Sequence, residues 1–445
     1  MSIINNMPSG GLNINGLIEE YYVYAGENIS AGSFVEFVNG VGSIVTNTSS
    51  PMPIESADGY SERSSSCMVS TNKVFIAYRC SSTLACAAIV TINNLKVSLG
   101  TVYTITSTQN IAITRSVLID TNKVLMVTQN NTAKYGEAIV ATISGDTISF
   151  SQSAQYHSST VGEIDACYVS ANKAVIFYES SNIGYDLIAN VSGTSITFGT
   201  KYQFMSASID EVSSGLSASN KVLLCYTRYT ETQTAHLKTV NISGNAISHG
   251  SEYKATSTKS STCNVAIVDT NKGILQWEDG GADNFTYSVR AKSVTVNGNS
   301  ITFGTELNFH TGRTDYTACI PLDTNKAICA YSSAGKVRVL QLSGTTVTAG
   351  DVFTFASVTT SSINLTKIDE NTFMVSWEGN DFDSRPLYPL RVVDNVITNK
   401  IDVTNYETQV RNTTTNTPNG VAKTGGTGGT ATLHKDKITI YVPDI

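Results

Sequence analysis

The sequence predicts an all-β fold, a seven-bladed β-propeller of four-stranded blades inserted into a small terminal β-domain. Three observations predict it. A tight Asn-Lys turn followed by a short apolar run returns along the chain, at Asn72, Asn122, Asn172, Asn220, Asn271 and Asn325, and decays to Asn371-Thr372. These turns fall at near-regular intervals, and a period of this size marks stacked units, none of which buries its apolar face alone. The two ends of the chain lie outside the repeat and read as unpaired β-pieces.

Within each repeat the first strand ends at the Asn-Lys turn. An aspartate often stands two residues ahead of the asparagine (Asp120, Asp269, Asp323, Asp369), where its short side chain can bond the backbone. Asparagine tolerates the left-handed conformation of a tight hairpin. The second strand is the most apolar, as in Val124-Leu125-Met126-Val127 and Ala327-Ile328-Cys329-Ala330. Such β-branched runs are too short for helices and read as strands buried on both faces.

A second tight turn joins strands three and four: Ser144-Gly145, Ser192-Gly193, Ser243-Gly244, Asn297-Gly298 and Ser343-Gly344, with Asn93-Asn94 and Asp394-Asn395 as substitutes. The fourth strand carries a glycine at one phase (Gly100, Gly199, Gly250, Gly304, Gly350), read as a bend or close backbone approach in the outer strand. Six residues after each turn asparagine stand Tyr78, Thr128, Tyr178, Tyr226, Trp277, Tyr331 and Trp377. Recurrence in nearly every repeat favours packing between neighbouring blades over a sugar-stacking platform. The expected blades are 61–108, 109–159, 160–207, 208–257, 258–311, 312–358 and 359–408.

Charged residues make up 15% of the 445 and the formal net charge is −7, which argues against nucleic-acid binding. No apolar run approaches a membrane span, and residues 1–16 lack the pattern of a signal peptide, so a soluble product is expected, with no membrane insertion. The eight cysteines include no CxxC pair and several replace Val, Ile or Ala in strands, so reduced buried thiols are expected. Cys80 and Cys86 alone are close enough in sequence to leave pairing open.

The flanks supply the attachment candidates. Residues 17–50 hold two strand-like stretches with Tyr22, Tyr24, Phe34 and Phe37, and residues 412–445 end in a strand with Tyr441. Two orphan β-pieces flanking a closed propeller most simply pair with each other. The phrases AGENISAGSFVEFVNG and GVAKTGGTGGTATLHKDKITIYV resemble the small β-module of tailed-phage virion proteins, which occurs in capsid-decoration and fibre or tail-associated proteins. The resemblance covers about 70 residues and brings no catalytic motif.

It implies a non-enzymatic virion protein of a phage or contractile phage-like particle, assembled in the bacterial cytoplasm, with the propeller projecting for host-surface recognition. Its expected partners are other virion proteins through the terminal module and a host glycan or protein, with several copies or a homo-oligomer per particle. A capsid decoration or head fibre is the alternative, and a free lectin-like propeller a further one.

No chemistry announces itself, and neither cofactor nor metal is expected. The five histidines are dispersed, the Asp-box turns of sialidase propellers are absent, and Asp381-Phe382-Asp383 lacks the remaining ligands of a calcium loop. Glu179, Glu278 and Glu378 recur just after the aromatic position and read as polar strand ends facing solvent rather than a glycosidase pair. Recognition is expected on the face of variable 2–3 loops, with Asn130, Lys134, Asp279, Asp283, Phe285, Asp381, Asp383 and Arg385 as candidates.

Overall fold

The computed structural model describes residues 20–25, 34–38, 41–45, 49–55, 64–80, 84–106, 111–130, 132–229, 233–280, 287–314, 316–378, 384–400, 420–422, 430–434 and 439–441. The chain divides into two compact units, Ser50–Asn399 and the pair of ends Met1–Ser49 with Lys400–Ile445.

The larger unit is all-β, with seven blades arranged as a propeller. The first strands, Ser65–Ser70, Ile111–Asp120, Ile164–Ser170, Ile209–Ala218, Ser260–Asp269, Thr317–Asp323 and Ser361–Lys367, form an inner ring in which each touches the next and the last touches the first. Second and third strands follow outward as antiparallel neighbours. The outer strand is broken in two. In blade two, Thr147–Phe150 pairs with one end of Gly136–Ser144 and Ala154–His157 with the other.

The recurring glycine stands at that break and permits a close approach. A Cβ on Gly304 would lie 2.0 Å from the Thr345 carbonyl oxygen in the next blade, and one on Gly350 would lie 2.8 Å from that of Asn395. The bend and the close approach are one feature: the outer strand breaks where the neighbouring blade's turn presses on it.

The turn asparagines meet two backbone requirements. Five of them hold φ between 57° and 61° (Asn72, Asn172, Asn220, Asn271, Asn325). Each turn carbonyl accepts a hydrogen bond from the third strand of its own blade, as from Ile143 to Asn122 and from Leu342 to Asn325. Their N–H groups also reach across blades. Asn172 donates to Ile119 at 2.7 Å, Asn271 to Ser217 at 2.9 Å and Asn325 to Val268 at 3.1 Å. The accepting residue sits at a bulge in the preceding inner strand, which frees its carbonyl. The lysine after the turn staples outward: Lys73 to Asp146 at 2.7 Å, Lys173 to the Gly244 carbonyl at 2.9 Å and Lys221 to the Gly298 carbonyl at 2.6 Å, each in the next blade.

The cores lie between blades. The aromatic after each turn is buried and meets the outer strand of the preceding blade. Tyr178 lies 5.3 Å from Tyr156, Tyr226 5.4 Å from Phe204, Tyr331 5.9 Å from Phe309 and Trp377 4.9 Å from Phe355, centroid to centroid. At Trp277 the matching partner is Ala255, whereas the equally large Trp377 keeps Phe355. The interblade reading of this phase holds, and the aromatics are not available to sugars.

The last blade differs from the sequence expectation. Its outer strand is completed by Met52–Glu55, which precedes the first repeat, so the propeller begins before residue 61. Pro53 faces Pro386 at a position where neither can donate, a non-hydrogen-bonded pair on an edge strand where proline is tolerated. Ile54 is buried in one core with Tyr78 and Val74 of blade one, so this strand closes the ring.

In the smaller unit, six strands form a closed barrel: Glu20–Ala25, Val41–Val45, Phe34–Val38, Gly420–Ala422, Thr439–Tyr441 and Thr430–His434, in that order. The three N-terminal and three C-terminal strands meet at two seams, where Phe34 pairs with Val421 and Tyr22 with Thr432.

Candidate functional site

Of the eight residues expected from sequence to serve recognition, three are buried and bonded within the fold. Asn130 is 5% exposed and caps its own loop: its side-chain oxygen accepts the N–H groups of Thr132 and Ala133 at 3.0 and 2.9 Å. Lys134 is exposed, at φ 64°, and closes that loop through its own N–H to the Asn130 carbonyl. Asp279 is 1% exposed and pairs with Arg290 at 2.8 Å.

Arg385 is equally buried, opposite Ile54 in the closing sheet, and donates to the Ser362 carbonyl at 2.9 Å. Burial works against its charge, and the Glu378 carboxylate offsets that cost. Asp283, Phe285, Asp381 and Asp383 lie outside the described residues. Tyr22, Tyr24, Phe34, Phe37 and Tyr441 fall on strands of the terminal barrel, and their side chains also lie outside the description. Variability had marked the 2–3 loops for recognition, but in two of them the polar residues mainly hold the loop.

Of the glutamates at the position after the aromatic, Glu278 and Glu378 are buried and Glu179 is half-buried. Glu278 is 3% exposed and accepts the Thr314 N–H at 2.9 Å, tying the second strand to the connection into the next blade. Glu378 is as deeply buried and accepts from the Ser361 hydroxyl at 3.2 Å. Glu179 accepts the Asn182 N–H and orders its own turn. These carboxylates lie in different blades and do not form an acid–base pair.

Around the axis, the inner strands are stitched by polar side chains. Arg115 pairs with Asp165 of the next blade, and Ser214 of the blade after donates to the same carboxylate. Asp165 holds the Arg115 guanidinium charge more firmly than usual, against the cost of burial. Asn364 donates to Ser66 at 2.7 Å across the closure, and Asn264 to Thr317 at 2.9 Å. Two backbone N–H groups on the free inner edge, Ser116 and Val265, donate to the hydroxyls of Ser65 and Ser213 in the preceding blades.

On the outer flank, His249 meets Asp186 at 2.8 Å, and His236 and Arg228 both meet Glu252, at 2.7 and 3.1 Å. Burial pushes the Asp186 carboxyl up, opposed by His249, and pushes the His236 imidazole down, opposed by Glu252. The described residues contain no group of three or more His, Cys, Asp or Glu placed to hold a metal ion.

One ring of inner-strand side chains is only partly covered, four of its members resting against the interblade cores. Four residues before each turn asparagine stand Met68, Leu118, Tyr168, Leu216, Ile267, Pro321 and Lys367, in matching register on the seven inner strands. Six are apolar, yet none is buried, and Tyr168 is 40% exposed. At one side of the ring, Met68, Leu118, Ile368, Thr71, Asn72 and Asp369 line an open depression of about 450 Å³ at the end of the inner strands nearest the tight turns. Asp369 is held there by the Asn371 N–H at 2.8 Å. The signal was present in the sequence: an apolar residue at a fixed phase of a strand that has no further layer on its inner side.

No family model and no curated protein matches the chain. Solved structures resemble it at low similarity. One comes from a study of two prolyl endopeptidases (10% identity, TM-score 0.47, 75% of this chain and 47% of that one), so this chain spans about half that length. Another is a putative 6-phosphogluconolactonase from Bacteroides uniformis (9%, 0.45, 67% and 89%), and a third a protein from Lactobacillus plantarum (12%, 0.42, 62% and 80%). The expectation of a non-enzymatic virion protein is corrected here. The named structural neighbours are a peptidase and a lactonase, and none of the three is described as part of a virus particle. At this similarity their activities do not carry over to this chain.

Proposed function

We propose that the chain is a binding protein that takes a small, largely apolar molecule in the depression at the tight-turn end of its inner strands. One contrast carries the reading. The buried groups best suited to proton transfer (Asp165, Glu278, Glu378, Asp186 with His249) are each bonded within or between blades. Six of the seven side chains at the matching level of the inner strands are apolar and none is buried, with Lys367 the seventh. Contact surface is available there and a proton relay is not. The open depression of about 450 Å³ beside Met68 and Leu118 offers a place for such a contact.

The test is a fluorescence titration of the full chain with Nile red, a neutral apolar dye. Leu118→Gln and Met68→Gln should each weaken binding at least about tenfold, while Tyr229→Ser, on the opposite loop face, should leave it unchanged. Absence of a saturable signal from the unmodified chain, or equal weakening by all three substitutions, overturns the proposal.

A further inference from the structure

Among the described cysteines, Cys80 and Cys86 are joined by a disulfide, with Cα atoms 5.7 Å apart, and six are free. The expectation of reduced buried thiols therefore does not extend to Cys80 and Cys86. Two of the six, Cys319 and Cys329, face each other directly on the first and second strands of blade six, Thr317–Asp323 and Lys326–Tyr331. Their thiols are within hydrogen-bonding reach of each other.

Two independent features identify the kind of pair they form. Pro321 is two residues from Cys319 and opposes Ala327; having no N–H, it belongs to a non-hydrogen-bonded position, and alternation places Cys319 and Cys329 in another. At the matching inner-strand position of blades two and five, the N–H groups of Ser116 and Val265 turn away from the second strand to serine hydroxyls of the preceding blade. In a non-hydrogen-bonded antiparallel pair the Cα atoms are about 4.5 Å apart and the side chains are closest. That lies at the near end of the range a disulfide spans.

The scaffold itself does not call for two cysteines there. The matching pairs elsewhere are Ser66 with Ile76, Ser116 with Met126, Ala166 with Ile176, Ser214 with Leu224, Val265 with Leu275 and Leu365 with Val375.

We propose that Cys319 and Cys329 are a redox modification site, closed to a cross-strand disulfide by a small-molecule disulfide of the glutathione class. Cys319 is the less buried of the two, at 8% against 0%, and is the first nucleophile. Its thiolate attacks one sulfur of the oxidant, forming a mixed disulfide and releasing one small thiol. The Cys329 thiolate then attacks the Cys319 sulfur and expels the second small thiol. Two protein S–H groups become one S–S bond, and the oxidant is reduced to two thiols that carry the two protons. Burial pushes the Cys329 thiol well up, so the second step is faster while the blade is forming than in the finished ring.

The experiment uses the full chain in two arms, folded protein incubated with oxidised glutathione and protein refolded in its presence. Each is alkylated with iodoacetamide under denaturing conditions, digested with trypsin and mapped by mass spectrometry. Cleavage after Arg313, Lys326 and Lys336 places the two cysteines on separate peptides. The expected result, in at least the refolding arm, is loss of both alkylated peptides and appearance of a linked species two hydrogens lighter than the sum of the two unalkylated peptides. Dithiothreitol should reverse it, and Cys319→Ser should restore full alkylation of Cys329. Full alkylation of both cysteines in both arms, with the Cys80–Cys86 peptide protected in the same digests, overturns the proposal.

Discussion

Leu387 of the last blade pairs with Met52, a residue that enters the fold before the first blade begins. The propeller is therefore closed by its own upstream segment. A fragment cut at the start of the repeats, residues 61–399, lacks that strand. It should melt well below residues 50–399 and aggregate through the exposed edge of Ser384–Val393. Thermal denaturation and light scattering of the two fragments check this; equal stability would show that the closing strand is dispensable.

Within the closing strand the burden falls on Ile54, which is 2% exposed. Ile54→Ala removes apolar volume from the core shared with blade one and should cost about 2–5 kcal/mol in urea unfolding. An exposed neighbour in the same segment, Pro51, should tolerate alanine with little change.

Trp277 makes the corresponding case inside the ring. It is fully buried against Ala255, and Trp277→Ala should destabilise by about 3–5 kcal/mol. Unchanged urea unfolding with lost ligand binding would instead make this residue part of a binding surface.

The outer-strand glycines are expected to differ by what each one touches. Gly304→Ala drives a Cβ into the Thr345 backbone and should cost about 1–3 kcal/mol. Gly250→Ala meets the Thr239 hydroxyl, a side chain that can turn aside, and should cost less. Parallel urea titrations of the two variants measure the difference.

Acid should weaken the fold through its histidines. Burial lowers the imidazoles of His157, His236 and His310, and Lys336 and Arg338 add to the effect at His310. The unfolded chain takes up these protons near about pH 6.5, the folded chain only lower. Stability from keeping the rings neutral is thus present above that pH and is lost as pH falls below it. Urea unfolding should be easier at about pH 5.5 than at about pH 7.5. His310→Phe, which keeps a ring against Tyr331 at 4.6 Å, should narrow that difference.

The repeat made the blades legible because each turn asparagine, aromatic and outer glycine serves the neighbouring blade, so the same demand is written at each interface. Met52–Glu55 was illegible for the opposite reason. It belongs to no repeat, spans four residues, and finds its partner more than three hundred positions away by filling a vacancy in the last sheet. Three of the loop candidates were misread as solvent-facing on another ground. Variability marks where the scaffold permits change, but Asn130, Asp279 and Arg385 are polar residues consumed in holding their own loops and sheets. Nothing in a linear pattern distinguishes a carboxylate that meets solvent from one that meets Arg290.

The two halves of the seventh blade's outer strand, Met52–Glu55 and Val396–Thr398, both ladder onto Ser384–Val393. Chain entry into the propeller and chain exit from it are therefore welded to a single β-strand. Any tension drawn through the two connections is carried by that one ladder, and the other six blades stay out of the load path. Mechanical failure would begin there, as an unclasping of the ring, while the interfaces from blade one to blade six remained intact.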